Sequence, residues 1–128
     1  MKHFLGLGTD IIEISRIKKA IKNVRFLEKV YSLEELRLIG EKGNKAETYA
    51  GRFAAKEAIS KAFGTGMRGI TFSNIEIIND DLGKPIIKFK NNIKAYEEKY
   101  LVEVSISHCK EYAVSTAIVF IKENEVKE

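Results

Sequence analysis

The stretch Lys45–Gly64, KAETYAGRFAAKEAISKAFG, carries the clearest secondary-structure signal in the 128-residue chain. Ala46, Ala50, Ala54, Ala55, Ala58 and Ala62 supply helix propensity, and Gly64 stands where a glycine closes a helix, so the pattern predicts a helix over 45–63. On its N-terminal side, Ser32-Leu33-Glu34-Glu35 is a capping box that opens a short helix ending near Gly40 or Gly43. Further back, Ile14, Ile17, Ala20, Ile21 and Val24 recur at three- and four-residue steps, which predicts one amphipathic helix with Ser15 as its N-cap. Phe4–Ile12 is apolar and β-branched, contains Gly6 and Gly8, and predicts a buried strand ending near Asp10. Beyond the long helix the signals change period. Ile70–Ile78 and Pro85–Lys90 predict a hairpin turning through Asp80–Lys84, Ile93–Lys99 a short helical piece, and Val102–Ser107 and Tyr112–Ile121 two more strands. Helices followed by strands imply an α+β fold, one small domain with an antiparallel sheet packed against helices, rather than alternating βαβ units. The N-terminal strand is expected at one or other edge of that sheet. Residues 1–121 are read as this domain and 122–128 as a charged tail.

Composition narrows the class. With 45% hydrophobic and 31% charged residues the chain is that of a globular protein, long enough for one core. No apolar run reaches the length of a membrane span, and Asp10 interrupts any signal-peptide core near the start. Cys109 is the single cysteine, so neither an intramolecular disulfide nor a cysteine zinc cage can form. Together these point to a cytoplasmic protein. The net charge is +4, yet residues 14–30 alone hold six basic side chains against Glu28, a local +5. Such a run fits an acidic partner or a phosphate-bearing ligand, and equally a solvated helix face.

Few residues suggest chemistry by themselves. Gly64-Thr-Gly66-Met-Arg-Gly69 spells G-x-G-x-x-G but follows a helix and precedes a strand, the reverse of a dinucleotide-binding turn. Glu57 and Lys61 lie four residues apart and share a helix face, as do Arg52 and Lys56 on an adjacent one; by spacing alone Glu57 and Lys61 could be a plain surface ion pair. Asp10 follows two glycines, which let a backbone approach a ligand closely. Two carboxylates with phosphate oxygens and water would suit magnesium. Spacing does not decide whether Asp10 and Glu57 meet. His108 ends an alternating strand, where ligand-facing groups often sit, and Cys109 beside it points to the other face. A non-catalytic basic binding module and another magnesium-dependent phosphoryl or nucleotidyl transferase remain as competing readings.

Four motifs occur in order: Gly6-Leu-Gly8-Thr-Asp10-Ile-Ile-Glu13-Ile-Ser-Arg16-Ile17, Gly51-Arg52-Phe-Ala-Ala-Lys56-Glu57-Ala-Ile-Ser-Lys61-Ala-Phe-Gly64-Thr-Gly66, Gly83-Lys84-Pro85 and Val104-Ser-Ile-Ser107-His108. As a set they resemble the motifs of the holo-[acyl carrier protein] synthases, the short branch of the phosphopantetheinyl transferases. The resemblance implies that fold, and transfer of the 4′-phosphopantetheine of coenzyme A to a serine of apo-acyl carrier protein in fatty acid biosynthesis. It implies magnesium on Asp10 and Glu57, with Glu57 and Lys61 in catalysis. Coenzyme A contacts are implied for Arg52, Lys61, Gly64, Gly83, Lys84, Pro85, Ser107 and His108. Arg16, Lys19, Lys22 and Arg25 would dock the acidic carrier. A homotrimer is implied too, with sites at subunit interfaces where Arg52 reaches a neighbour's 3′-phosphate, and neither nucleic acid nor membrane as partner. The chain departs from the family in two places: Lys42-Gly43-Asn44-Lys45 is thinner in charge than the cluster usual before the long helix, and beyond Arg16 the first helix carries its charges as a mixture of lysine and arginine.

Overall fold

The long helix forms where its alanines predict, as α4 (Ala46–Phe63), and everything else is arranged around it in the computed structural model, which describes residues 2–123. Small side chains let neighbours approach from nearly every direction: Tyr49, Ala50, Ala54, Ala55, Ala58, Ile59 and Ala62 are all buried. One side of α4 packs on a three-stranded antiparallel sheet of order β1-β5-β4, made of β1 (Lys2–Glu13), β5 (Tyr112–Lys122) and β4 (Tyr100–His108). Its other side meets α1 (Ile14–Ala20), α2 (Val24–Val30), α3 (Leu33–Glu41) and the hairpin of β2 (Ile75–Asn79) and β3 (Pro85–Phe89). A last short helix, α5 (Tyr96–Lys99), leads into β4.

The N-terminal strand takes an edge and pairs only with β5, with Gly8 opposite Ala117 and Asp10 opposite Ser115. Alternation then sorts the two faces of the sheet. Gly8, Ala113, Ser115, Ala117 and Val119 are buried beneath α4. On the opposite face Leu7 and Ile11 are 62% and 63% exposed, and Tyr112 and Val114 are open as well. One sheet face therefore carries an apolar surface with no second layer over it among the described residues.

Four local expectations are revised. The strand expected to be buried over Phe4–Ile12 is buried only at Gly8, with Phe4, Leu7 and Ile11 exposed, because it lies at the sheet edge. The single amphipathic helix from Ile14 is two helices, because the Asn23 side chain accepts from Arg25 N–H and caps a new start; Val24 consequently faces outward. Ser15 caps nothing: the helix begins one residue earlier, and Ile14 N–H donates to Glu111 O. The strand expected from Ile70 begins only at Ile75, since residues 72–74 form a 3₁₀ turn that sets the Phe72 ring against Phe53. The capping box is formed as read, with Ser32 Oγ accepting from Glu35 N–H and Glu35 accepting from Ser32 N–H. At the C-terminal end Lys122 still belongs to β5, and the remainder of the expected tail, 124–128, lies outside the described residues.

Candidate functional site

Two glycines set the geometry that matters most. A Cβ on Gly6 would lie 1.9 Å from Ala62 O, and one on Gly8 would lie 2.1 Å from Ala58 O and 2.7 Å from Ala62 N. The backbone of β1 thus lies directly on the backbone of α4, an approach no side chain permits. The expectation that these glycines bring the strand close to a ligand is corrected: they bring it close to the helix. Two strand residues advance about 6.6 Å and one helix turn about 5.4 Å, so the next inward residue, Asp10, arrives near the level of Glu57 and Lys61.

Lys61 Nζ donates to Asp10 Oδ1 at 3.0 Å and to Thr9 O at 3.0 Å. The Asp10 side chain is 15% exposed and that of Lys61 53%, so the lysine reaches the carboxylate from the solvent side. Burial, and then the charge of Asp10, push the Glu57 carboxyl above its ordinary range, while Lys61 pulls it back. The Asp10 charge thus acts on Glu57, and the Lys61 ammonium lies between solvent and Asp10. This donor set is all oxygen and carries excess negative charge, which fits a hard divalent cation with its other positions filled by phosphate oxygens and water. Among the described residues no third His, Cys, Asp or Glu joins the pair.

Arg52 lies nine residues before Lys61, about 13 Å along the axis and half a turn around it. It is 6% exposed and forms part of the floor of a cleft of about 360 Å³ bordered by Lys42, Asn79, Gly83, Pro85 and His108. Arg52 and Lys42 both donate to Asn79 Oδ1, and Asn79 Nδ2 donates to Gly83 O. Two cations thus converge on a neutral amide oxygen. Arg52 Nε is buried with no partner among the described residues, and burial holds the guanidinium below its ordinary pKa. A buried, under-satisfied guanidinium is a standing demand for an acceptor.

The remaining predicted residues scatter. Ser107 is exposed on β4, Lys84 ion-pairs with Glu103 at 3.1 Å, and Gly64 ends α4 at a φ of 67°. Arg16 and Lys19 stand on α1, Lys22 in the turn and Arg25 on α2, all exposed. Within one protomer the predicted residues therefore form two groups on opposite faces of α4. Asn79 and the Thr9 carbonyl escaped the sequence reading; an asparagine before a turn and a backbone oxygen carry no distinguishing signal.

One buried cluster was also unforeseen. Lys56, fully buried, donates to Glu35 Oε1 at 2.5 Å, to Phe72 O at 3.0 Å and to Val30 O. Burial pushes the Lys56 pKa down to about 8 and that of Glu35 up, and each charge opposes the shift of the other.

Residues 6–117 match the model of the 4′-phosphopantetheinyl transferase superfamily. The chain is 50% identical over 119 residues to the holo-[acyl-carrier-protein] synthase of Fusobacterium nucleatum subsp. nucleatum, covering 90% of this chain and 98% of that one. It is 51% identical over 118 residues to the enzyme of the same name from Clostridium acetobutylicum, covering 89% and 95%. Among solved structures it is similar to the Bacillus anthracis holo-(acyl-carrier-protein) synthase in complex with CoA (3′,5′-ADP), with a TM-score of 0.76, 41% identity, and 91% and 96% of the two chains covered.

Proposed function

The chain belongs to the 4′-phosphopantetheinyl transferase superfamily, and from that premise we propose that it moves the 4′-phosphopantetheine of coenzyme A to a serine of apo-acyl carrier protein. The observation that carries this reading is the meeting of Asp10, Glu57 and Lys61 across the β1–α4 contact, in a chain so close to a coenzyme A-bound relative. The serine oxygen forms a bond to the β-phosphorus as the bond from that phosphorus to the bridging oxygen breaks. Adenosine 3′,5′-bisphosphate leaves with the bridging oxygen and its electron pair. Asp10 and Glu57 would hold magnesium, which when bound would withdraw charge from the diphosphate. Glu57, half-buried on the helix face beside Lys61, either takes the serine proton itself or holds the water that takes it. Lys61 supplies a positive charge for the oxygen that leaves.

The second group binds the other end of coenzyme A. The buried Arg52 with its unpartnered Nε, backed by Lys42, receives the 3′-phosphate, and Gly83, Pro85 and His108 border the nucleotide. Because the two groups lie on opposite faces of α4, one molecule of coenzyme A takes them from adjacent subunits of a trimer. The uncovered apolar face of β1 and β5 supports such an assembly, since an exposed patch of this kind marks an interface. The basic residues Arg16, Lys19, Lys22 and Arg25 face an acidic carrier, and the pathway served is fatty acid synthesis. No helix among the described residues is long and apolar enough to cross a membrane.

The test is incubation with coenzyme A, magnesium and apo-acyl carrier protein, followed by mass spectrometry of the carrier. The expected result is a gain of one phosphopantetheine, abolished by a chelator. A folded protein that modifies none of several carriers would sink the reading.

A further inference from the structure

We infer that Lys61 couples metal to coenzyme A: it holds Asp10 in the free protein and passes to the diphosphate when both ligands arrive, so the site takes the metal–diphosphate complex in preference to the free ion. This rests on the reading of Asp10 and Glu57 as the metal carboxylates.

Lys61 is not idle in the free protein. Its ammonium makes two 3.0 Å contacts, to Asp10 Oδ1 and Thr9 O, and so occupies one of the two carboxylates a cation would need. With no third ligating side chain nearby among the described residues, a free ion meets Glu57 and a carboxylate that is already paired. Magnesium gives up water reluctantly and needs close to six oxygens, so that meeting is poor. A diphosphate changes both sides of the exchange. It brings oxygens to the metal and offers the ammonium an acceptor of higher charge than Asp10.

Charge leads to the same result. Asp10, Glu57 and Lys61 together carry one net negative charge. A divalent ion alone would leave the pocket at plus one, and a diphosphate with two negative charges returns it to minus one. Metal and diphosphate together return the pocket to its resting charge, which neither does alone. The lysine can make the move because its head is largely exposed while its stem is fixed on α4. The exchange keeps a positive charge beside the reacting phosphate throughout.

The test is equilibrium binding of Mn²⁺, read as loss of the free-ion signal in electron paramagnetic resonance, without carrier protein so that no turnover occurs. In the unaltered protein coenzyme A should tighten Mn²⁺ by about tenfold or more, within the usual range of ligand coupling. Lys61→Met should bind Mn²⁺ alone about threefold to tenfold more tightly than the unaltered protein, and its tightening by coenzyme A should shrink by at least that factor. Lys61→Arg, which keeps charge and donors, should restore both values. If Lys61→Met leaves the affinity for Mn²⁺ alone and the coupling unchanged, the inference is overturned while the metal site stands. If no protein binds Mn²⁺ even with coenzyme A, the metal site itself is wrong and the inference falls with it.

Discussion

Helix α4 carries two pairs of charged side chains at the same four-residue spacing, and they have opposite fates. Arg52 and Lys56 turn inward. Lys56 is fully buried and is held by Glu35, Val30 O and Phe72 O, while Glu35 is itself held by Ser32 N–H and Ile77 N–H. Glu57 and Lys61 turn toward β1, where a half-exposed lysine keeps two contacts and two carboxylates repel. The inward lysine is over-determined and ties the α2–α3 turn and the 72–74 turn to the helix. The outward one is only lightly tethered. Identical spacing thus yields a structural clamp on one face and exchangeable chemistry on the other, and what separates them is the number of fixed partners around each ammonium. Arg52 belongs to both worlds: it is buried like Lys56 yet left short of an acceptor.

The sharpest way to break this contrast is to remove each ammonium in turn. Lys56→Met leaves Glu35 buried without its partner and should cost about 3–5 kcal/mol in urea unfolding. Lys61→Met, which removes a half-exposed ammonium from Asp10, should cost about 1 kcal/mol or less. Equal losses would mean that the two faces do not differ as described. A smaller effect is expected at the contact that joins β1 to the helix. Gly8→Ala places a methyl against Ala58 O and Ala62 N, both backbone atoms, and should cost about 1–3 kcal/mol. It should also slow phosphopantetheine transfer beyond what the residual folded fraction explains, because Asp10 moves off Glu57; full activity per folded molecule would show that the strand's position is not critical. The least of the three is a titration. In metal-free protein the Glu57 carboxyl, followed by carbon-13 NMR, should lose its proton at a pH above the ordinary glutamate range. Burial is the main cause and the Asp10 charge the second, so Asp10→Asn should lower that midpoint without restoring it fully. A midpoint unmoved in Asp10→Asn would separate the two carboxylates.

Much of the fold was legible. The alanine-rich helix, the Ser32 capping box, the β2–β3 turn and the last two strands all follow from local period and turn chemistry and lie close to where their patterns predict, whereas β2 starts five residues late. The break at Asn23 was not legible, because the apolar spacing from Ile14 to Val24 continues straight across it and only the competing side-chain cap interrupts the helix. The site was half legible. Glu57 and Lys61 announce themselves as a pair on one helix face, and Asp10 as a lone acid after glycines. Asn79 gave no sign, since its value lies in a neutral oxygen that two distant cations share. Lys56 offered only its four-residue spacing from Arg52, and its burial depends on Glu35, twenty-one residues away.

What the chain determines by itself is local: propensity, caps, turns, the two periods that make helices and strands, and an ordered set of motifs specific enough to point to a family. Those depend on neighbours within a few residues, so a linear reading reaches them. The tertiary structure alone decided that Gly6 and Gly8 serve the helix and not a ligand, that Asp10 meets Lys61 fifty-one residues on, and that Arg52 faces away from both. Each of these depends on which backbone can approach which, and on how a helix of small residues divides its faces between a sheet and a buried charge cluster, so no local pattern records it.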